Sequence, residues 1–73
     1  MKRFHDSQGS EWDVVVGRAS WGVFLFLFVP VEGEEARQVT LSATSADEAE
    51  AALARTDASE LRRLLGDSEP RVP

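Results

Sequence analysis

An uncharged apolar run, Trp21 to Val29, lies in the middle of this 73-residue chain and is closed by a proline. Its side chains alternate in type, so that aliphatic residues fall at one parity and Phe24, Phe26 and Phe28 at the other. This density of β-branched and aromatic residues favours a strand buried on both faces. The run is about half the roughly 20 apolar residues that a membrane-spanning helix needs. We therefore expect a central strand and no membrane partner.

Shorter alternating segments flank this strand. One begins around Phe4, one covers residues 12–16 and one covers residues 37–42. Turn-forming residues separate them at positions 6–10, 17–20 and 31–35, and each connection is short enough for a hairpin. The sequence therefore predicts a four-stranded antiparallel meander.

The hairpin registers decide which side chains share a face of the sheet. We place Phe4 opposite Trp12, Val16 opposite Trp21, and Val29 opposite Arg37. One face, the predicted core face, then collects aliphatic residues and both tryptophans as core anchors. The other face carries the phenylalanines beside two cross-strand charge pairs; the residues involved are Phe24, Phe26, Phe28, Arg3 with Asp13, and His5 with Glu11.

The pattern becomes helical from Ser45 onward. Ser45 and Glu48 have the spacing of a capping box, and the same signal recurs from Asp57. We predict helices over residues 46–55 and 58–65 with a turn at 56–57, or else one continuous bent helix. Gly66 is expected to cap the last helix, and residues 67–73 to form a flexible tail. The prediction is an α+β fold: one domain over residues 1–66, with the helices packed on one face of the meander.

Composition excludes several classes of function. The net charge of −5 is evenly spread without a basic tract, which argues against nucleic acid as the main partner. The chain has no cysteine and one histidine, so we expect no disulfide, metal or cofactor. No nucleophile, base and orienting group can be assembled, which indicates a protein that is not an enzyme. The N-terminal segment lacks the apolar region of a signal peptide, so we expect a cytoplasmic protein.

The phenylalanine stripe is the strongest candidate site in the sequence. The helices offer one apolar stripe, enough to cover the core face, and this leaves the phenylalanines exposed as a protein–protein surface. We expect homodimerisation through Phe24, Phe26 and Phe28, with a polar rim of Glu11, Asp13, Gln38 and Thr40. The alternatives are a small regulator or inhibitor of a larger protein such as a transcription component, a single-strand nucleic-acid binder, or intramolecular cover of the stripe.

Overall fold

The computed structural model describes residues 1–71, which form a sheet with two helices after its fourth strand. The elements in chain order are β1 (Lys2–His5), β2 (Glu11–Arg18), a 3₁₀ turn (Ser20–Gly22), β3 (Phe24–Pro30), β4 (Arg37–Thr40), α1 (Ala46–Arg55), α2 (Ala58–Asp67) and β5 (Glu69–Pro70). All strands are antiparallel and neighbours in sequence are neighbours in space, in the order β1-β2-β3-β4-β5. The predicted α+β meander is confirmed, with a fifth strand added.

The first hairpin has the predicted register. Phe4 pairs with Trp12 and Arg3 with Asp13. The Asp6 carboxylate holds the turn, because its Oδ1 accepts the backbone N–H groups of Gln8 and Ser10 at 2.9 Å each. Its Oδ2 accepts the Trp12 indole N–H at 3.0 Å, which ties the turn to β2. Local turn chemistry therefore determines the register, as expected for a short hairpin.

The two hairpins that β3 makes differ from the prediction. Val16 pairs with Phe26 instead of Trp21, and Arg37 pairs with Phe28 instead of Val29. Both shifts are by an odd number of residues, and an odd shift moves every side chain of a strand to the opposite face. The assignment of the aliphatic residues of β3 to the core face is therefore wrong.

The core lies between the helices and the phenylalanine side of the sheet. Its buried cluster consists of Phe4, Val14, Phe26, Phe28, Leu53 and Leu61. The Phe4 and Phe28 rings meet edge to face, with centroids 6.0 Å apart and planes at 76°. Phenylalanine carries more apolar area than valine or leucine, so this arrangement buries the largest side chains of β3 under the helices.

Two separate helices form, with the turn at Thr56–Asp57 as predicted. The Ser45 hydroxyl accepts the Glu48 N–H, and the Asp57 carboxylate accepts the Glu60 N–H, so each helix has its own N-cap. The C-terminal ends receive cations from the sheet. The Lys2 ammonium donates to the carbonyls of Leu53 and Thr56 at 3.2 and 2.5 Å, and the Arg37 guanidinium donates to the carbonyl of Ser68 at 2.6 Å.

The end of the chain belongs to the fold, which corrects the prediction of a tail. The helix α2 passes through Gly66 and ends at Asp67, and Ser68 is its buried C-cap. Glu69 and Pro70 then pair with Gln38 and Arg37 of β4. Of the predicted flexible segment, residues 72–73 lie outside the described part of the chain.

Candidate interaction surface

The sheet has a second face that neither of the described helices covers, and we call it the open face. Its apolar part follows β3 and the adjoining half of β2, and its polar part lies on the neighbouring strands. By strand alternation from the observed registers, the apolar side chains are Val15, Val23, Leu25, Leu27 and Val29, and the polar ones are Arg3, His5, Glu11, Asp13, Gln38 and Thr40. The open face is therefore an apolar stripe between two polar margins.

A glycine in β2 shapes the middle of the open face. Gly17 pairs with Leu25, and a Cβ built on Gly17 would lie only 2.9 Å from a terminal carbon of Leu25 and 2.8 Å from one of Leu27. The two leucines thus lean into the space left by the absent side chain, which explains why Leu25 is buried on a face without helices. The result is a low apolar surface, a shape that can pack against another sheet at about 10 Å.

Charge pairs define the margin at the β1 side. The Arg3 guanidinium donates to both oxygens of Asp13 at 2.7 and 3.2 Å, and it approaches Glu11 at 3.5 Å. This hydrogen bond is the largest cause of a lowered pKa for the Asp13 carboxyl and of a raised pKa for Arg3. The two carboxylates on this margin are thus partly neutralised by one arginine. At the opposite margin, beside Gln38 and Thr40, Glu69 of β5 pairs with Gln38, and the Arg71 guanidinium donates to the Gln38 side chain at 3.4 Å.

The predicted interaction residues divide between the two faces. Phe26 and Phe28 are buried in the core cluster beneath the helices, and Phe24 is buried with the Arg18 guanidinium over its ring, so the expectation that the three form an exposed surface is wrong. Their rings are also not available to stack on nucleic-acid bases. The predicted rim residues, in contrast, do share a face: Glu11 and Asp13 lie on β2, and Gln38 and Thr40 lie on β4. The residues between them are the aliphatic ones of β3.

Trp21 was predicted to be a core anchor, and the structure places it outside the core. Its side chain is 96% exposed, and its backbone has the left-handed angles φ 66° and ψ 26°. Gly22 follows with φ 73°, and the turn is closed by a 2.7 Å hydrogen bond from the Ala19 N–H to the Val23 carbonyl. The glycine directly after Trp21 was the sequence signal for a turn, and the continuous apolar run concealed it.

A depression of about 300 Å³ lies at the other end of the sheet. It is lined by Gln8, Gly9, Ser10, Glu11, Val31 and Glu32. The Val31 N–H donates to the Glu11 carbonyl at 3.0 Å, which extends the pairing of β2 and β3 to this point. Glu11 and Val31 consequently lie at open-face positions, and the depression adjoins the end of the apolar stripe.

The described residues contain no cluster of candidate metal ligands. Within residues 1–71, no three histidine or acidic side chains are grouped to hold a metal ion. The His5 ring approaches Glu11 at 3.5 Å, and both groups are solvent-accessible members of the margin. In the same part of the chain, no helix has the length and apolar character needed to cross a membrane. No protein-family model, curated protein or solved structure matches this chain.

Proposed function

We propose that this chain is a non-catalytic protein-interaction module that forms a homodimer through the open face. The observation that carries the proposal is the exposed apolar stripe on a sheet whose other face is packed against both helices. Val29 is 43% exposed and Val23, just before β3, is 37% exposed; between them Leu27 is half-buried and Leu25 lies low in the surface beside Gly17. A contiguous apolar surface of this kind is typical of a protein-binding site. A second copy of the chain offers an apolar sheet face of the same kind to pack against it.

The size of the molecule supports this partner. The fold measures 33 × 28 × 19 Å, and a two-layer domain presents its broad dimensions parallel to the sheet. An ellipse within the two longer dimensions covers roughly 700 Å², close to the ~800 Å² that each partner contributes to a standard interface. A face-to-face dimer would use nearly all of the open face.

The distribution of charge also suits a second copy. A net charge of −5 on each chain disfavours close approach, but the open face holds little of it. Its central strand is apolar, and each margin places acidic side chains near an arginine: Arg3 at one margin, and Arg71 with Glu69 at the other. Many of the remaining acidic side chains lie in the β3–β4 connection and in α1, namely Glu32, Glu34, Glu35, Asp47, Glu48 and Glu50.

The edges of the sheet are less suitable for a partner strand. β1 has four residues, and the carbonyl of its last residue, His5, accepts a hydrogen bond from Arg62 at 3.1 Å. β5 has two residues, one of which is Pro70 without a backbone N–H. Short, occupied edges are a common protection against strand addition. This favours association through the face of the sheet.

A single lysine placed on the open face tests the proposal. Val29→Lys puts a charge on the stripe at an exposed position opposite Asp13, where the new side chain remains compatible with the fold. Ala51→Lys is the matched control, because it adds the same charge at an exposed position of α1 on the helix side. We expect dimers of the parent and of Ala51→Lys in sedimentation velocity, and folded monomers of Val29→Lys.

Two outcomes would contradict the proposal. A parent chain that stays monomeric up to millimolar concentration would leave the open face to a different protein, as in the alternative of a small regulator or inhibitor. If Val29→Lys and Ala51→Lys both dimerise as strongly as the parent, the interface lies on another surface. The proposal includes the cytoplasmic location and the lack of nucleic-acid binding expected from the sequence; cell fractionation and oligonucleotide titration at physiological salt test these two parts.

A further inference from the structure

The turn before β3 presents an indole ring to solvent in a strained backbone. Among the described residues, Trp21 is the one non-glycine residue with a positive φ. Left-handed angles are costly for a bulky residue and mark sites where a conformation is retained for a purpose. Tryptophan is also the residue type most enriched in the energetic centres of protein interfaces. The closed turn leaves the Trp21 side chain outside its own core and accessible to another molecule.

The depression at the far end of the sheet has the size and chemistry to receive an indole. The depression has a volume of about 300 Å³ and is open to solvent on one side, so that a flat ring such as an indole can enter it. Val31 supplies an apolar wall and is 44% exposed. Glu11 and Glu32 supply carboxylate oxygens, which are acceptors for the single N–H donor of an indole.

The protrusion and the depression lie at opposite ends of one strand. Trp21 lies in the turn before β3 and Val31 directly follows the strand, and the seven residues of β3 at about 3.3 Å each put roughly 20 Å between them. A two-fold axis that lies between the two stacked sheets, perpendicular to β3 and level with its middle, makes the two β3 strands antiparallel. Each tryptophan then lies over the depression of the other chain, and the contact occurs twice.

We infer that two copies of this chain stack open face to open face in an antiparallel arrangement, with Trp21 of each copy inserted into the depression formed by Gln8–Glu11, Val31 and Glu32 of the other. This inference rests on the proposed dimer and specifies its orientation. It also assigns a role to the exposed indole that this turn carries.

Cross-linking tests the orientation directly, because the chain has no cysteine of its own. Ser20→Cys lies beside Trp21 and keeps the indole, whereas Ser10→Cys lies in the wall of the depression. The two variants are mixed, one of them labelled with ¹⁵N, and oxidised mildly. We expect disulfide-linked dimers that contain one labelled and one unlabelled chain. Ala51→Cys on the exposed side of α1 is the control that should remain uncross-linked.

The tryptophan itself is tested by affinity and by its resonance. Truncation of an interface centre typically weakens binding about 30-fold or more, so Trp21→Ala should raise the dimer Kd by at least that factor with unchanged circular dichroism. The Trp21 indole N–H resonance, identified by its loss in Trp21→Phe, should shift with protein concentration, while that of Trp12 should not.

The outcomes separate this inference from the proposed function. A monomeric parent chain would overturn both. If the parent dimerises but the disulfides join two Ser20→Cys chains instead of one of each variant, or if Trp21→Ala leaves the Kd unchanged, the antiparallel insertion is overturned and the face-to-face dimer remains. Mixed disulfides together with the affinity loss would support the insertion.

Discussion

Replacement of Phe26 by alanine tests which face of β3 is the core. Phe26 is 2% exposed, and its neighbours across the sheet are Val16 and Val39, which both pack on the buried cluster. Removal of a buried phenylalanine ring costs about 3–5 kcal/mol, since the cavity cannot close fully. A domain of this length has a total stability of roughly 4–11 kcal/mol. Phe26→Ala should therefore remove a large share of the free energy of unfolding.

The matched control is the next residue along the strand. Leu27 lies on the open face and is half-buried, so Leu27→Ala should cost clearly less than Phe26→Ala. Urea denaturation followed by circular dichroism gives both free energies, at a low protein concentration where association does not contribute. For a domain of this size, Tm falls by about 4–8 °C per kcal/mol, so Phe26→Ala should lower it by at least ~12 °C. A larger loss for Leu27→Ala would refute the observed register of β3.

Three further substitutions test the packing of α2 on the core, the C-terminal end of α1 and the turn between β1 and β2. Leu61→Ala should cost about 2–5 kcal/mol, because Leu61 is fully buried in the core cluster; an unchanged Tm would contradict the docking of α2. Lys2→Met keeps the apolar stem and removes the ammonium at the end of α1, so unfolding should become easier by about 0.3–1 kcal/mol, measured by urea denaturation. The hydrogen bond from the Trp12 indole is the largest cause of a lowered pKa for the Asp6 carboxyl, and backbone N–H groups lower it further. The ionised carboxylate therefore stabilises the fold at pH values above the ordinary pKa of an aspartate, about 3.9. This contribution is lost as the pH falls through the lowered pKa. The stability difference between the parent and Asp6→Asn should thus shrink in acid, and a constant difference from pH 7 to pH 2 would contradict this.

The sequence predicted those elements whose signals are local. The capping residues Ser45 and Asp57 marked both helix starts, and the Asp6 turn determined the first hairpin. The connection between β2 and β3 could not be predicted in the same way, because Trp21 continues the apolar alternation in sequence while its backbone leaves the strand. Because Trp21 lies outside the strand, the register of β3 against β2 shifts by an odd number of residues, and the phenylalanines face the helices. The register of β3 therefore depends on a single turn conformation that hydrophobic pattern does not encode.

The candidate site was affected by the same turn. The sequence correctly separated two apolar faces on β3 and correctly grouped Glu11 and Asp13 with Gln38 and Thr40 around one of them. It placed the phenylalanines between these polar residues, where the structure has the aliphatic residues of β3, because the hairpin registers were inferred from loop length. The strand β5 was missed for a different reason: two residues that include a proline carry too little pattern, and their pairing depends on where α2 leaves the chain.

The origin of the helix caps has a consequence for how the domain opens. Each helix is capped at its start by its own segment, but the cations at the ends of α1 and α2 come from β1 and β4. The last turns of the helices are thus complete only when β1 and β4 are in place. When β1 or β4 opens locally, the last carbonyl groups of a helix lose their partners. The helix ends and these two strands should therefore exchange their amide hydrogens as one cooperative unit. Ordinary surface helices, whose ends fray independently, would show graded protection.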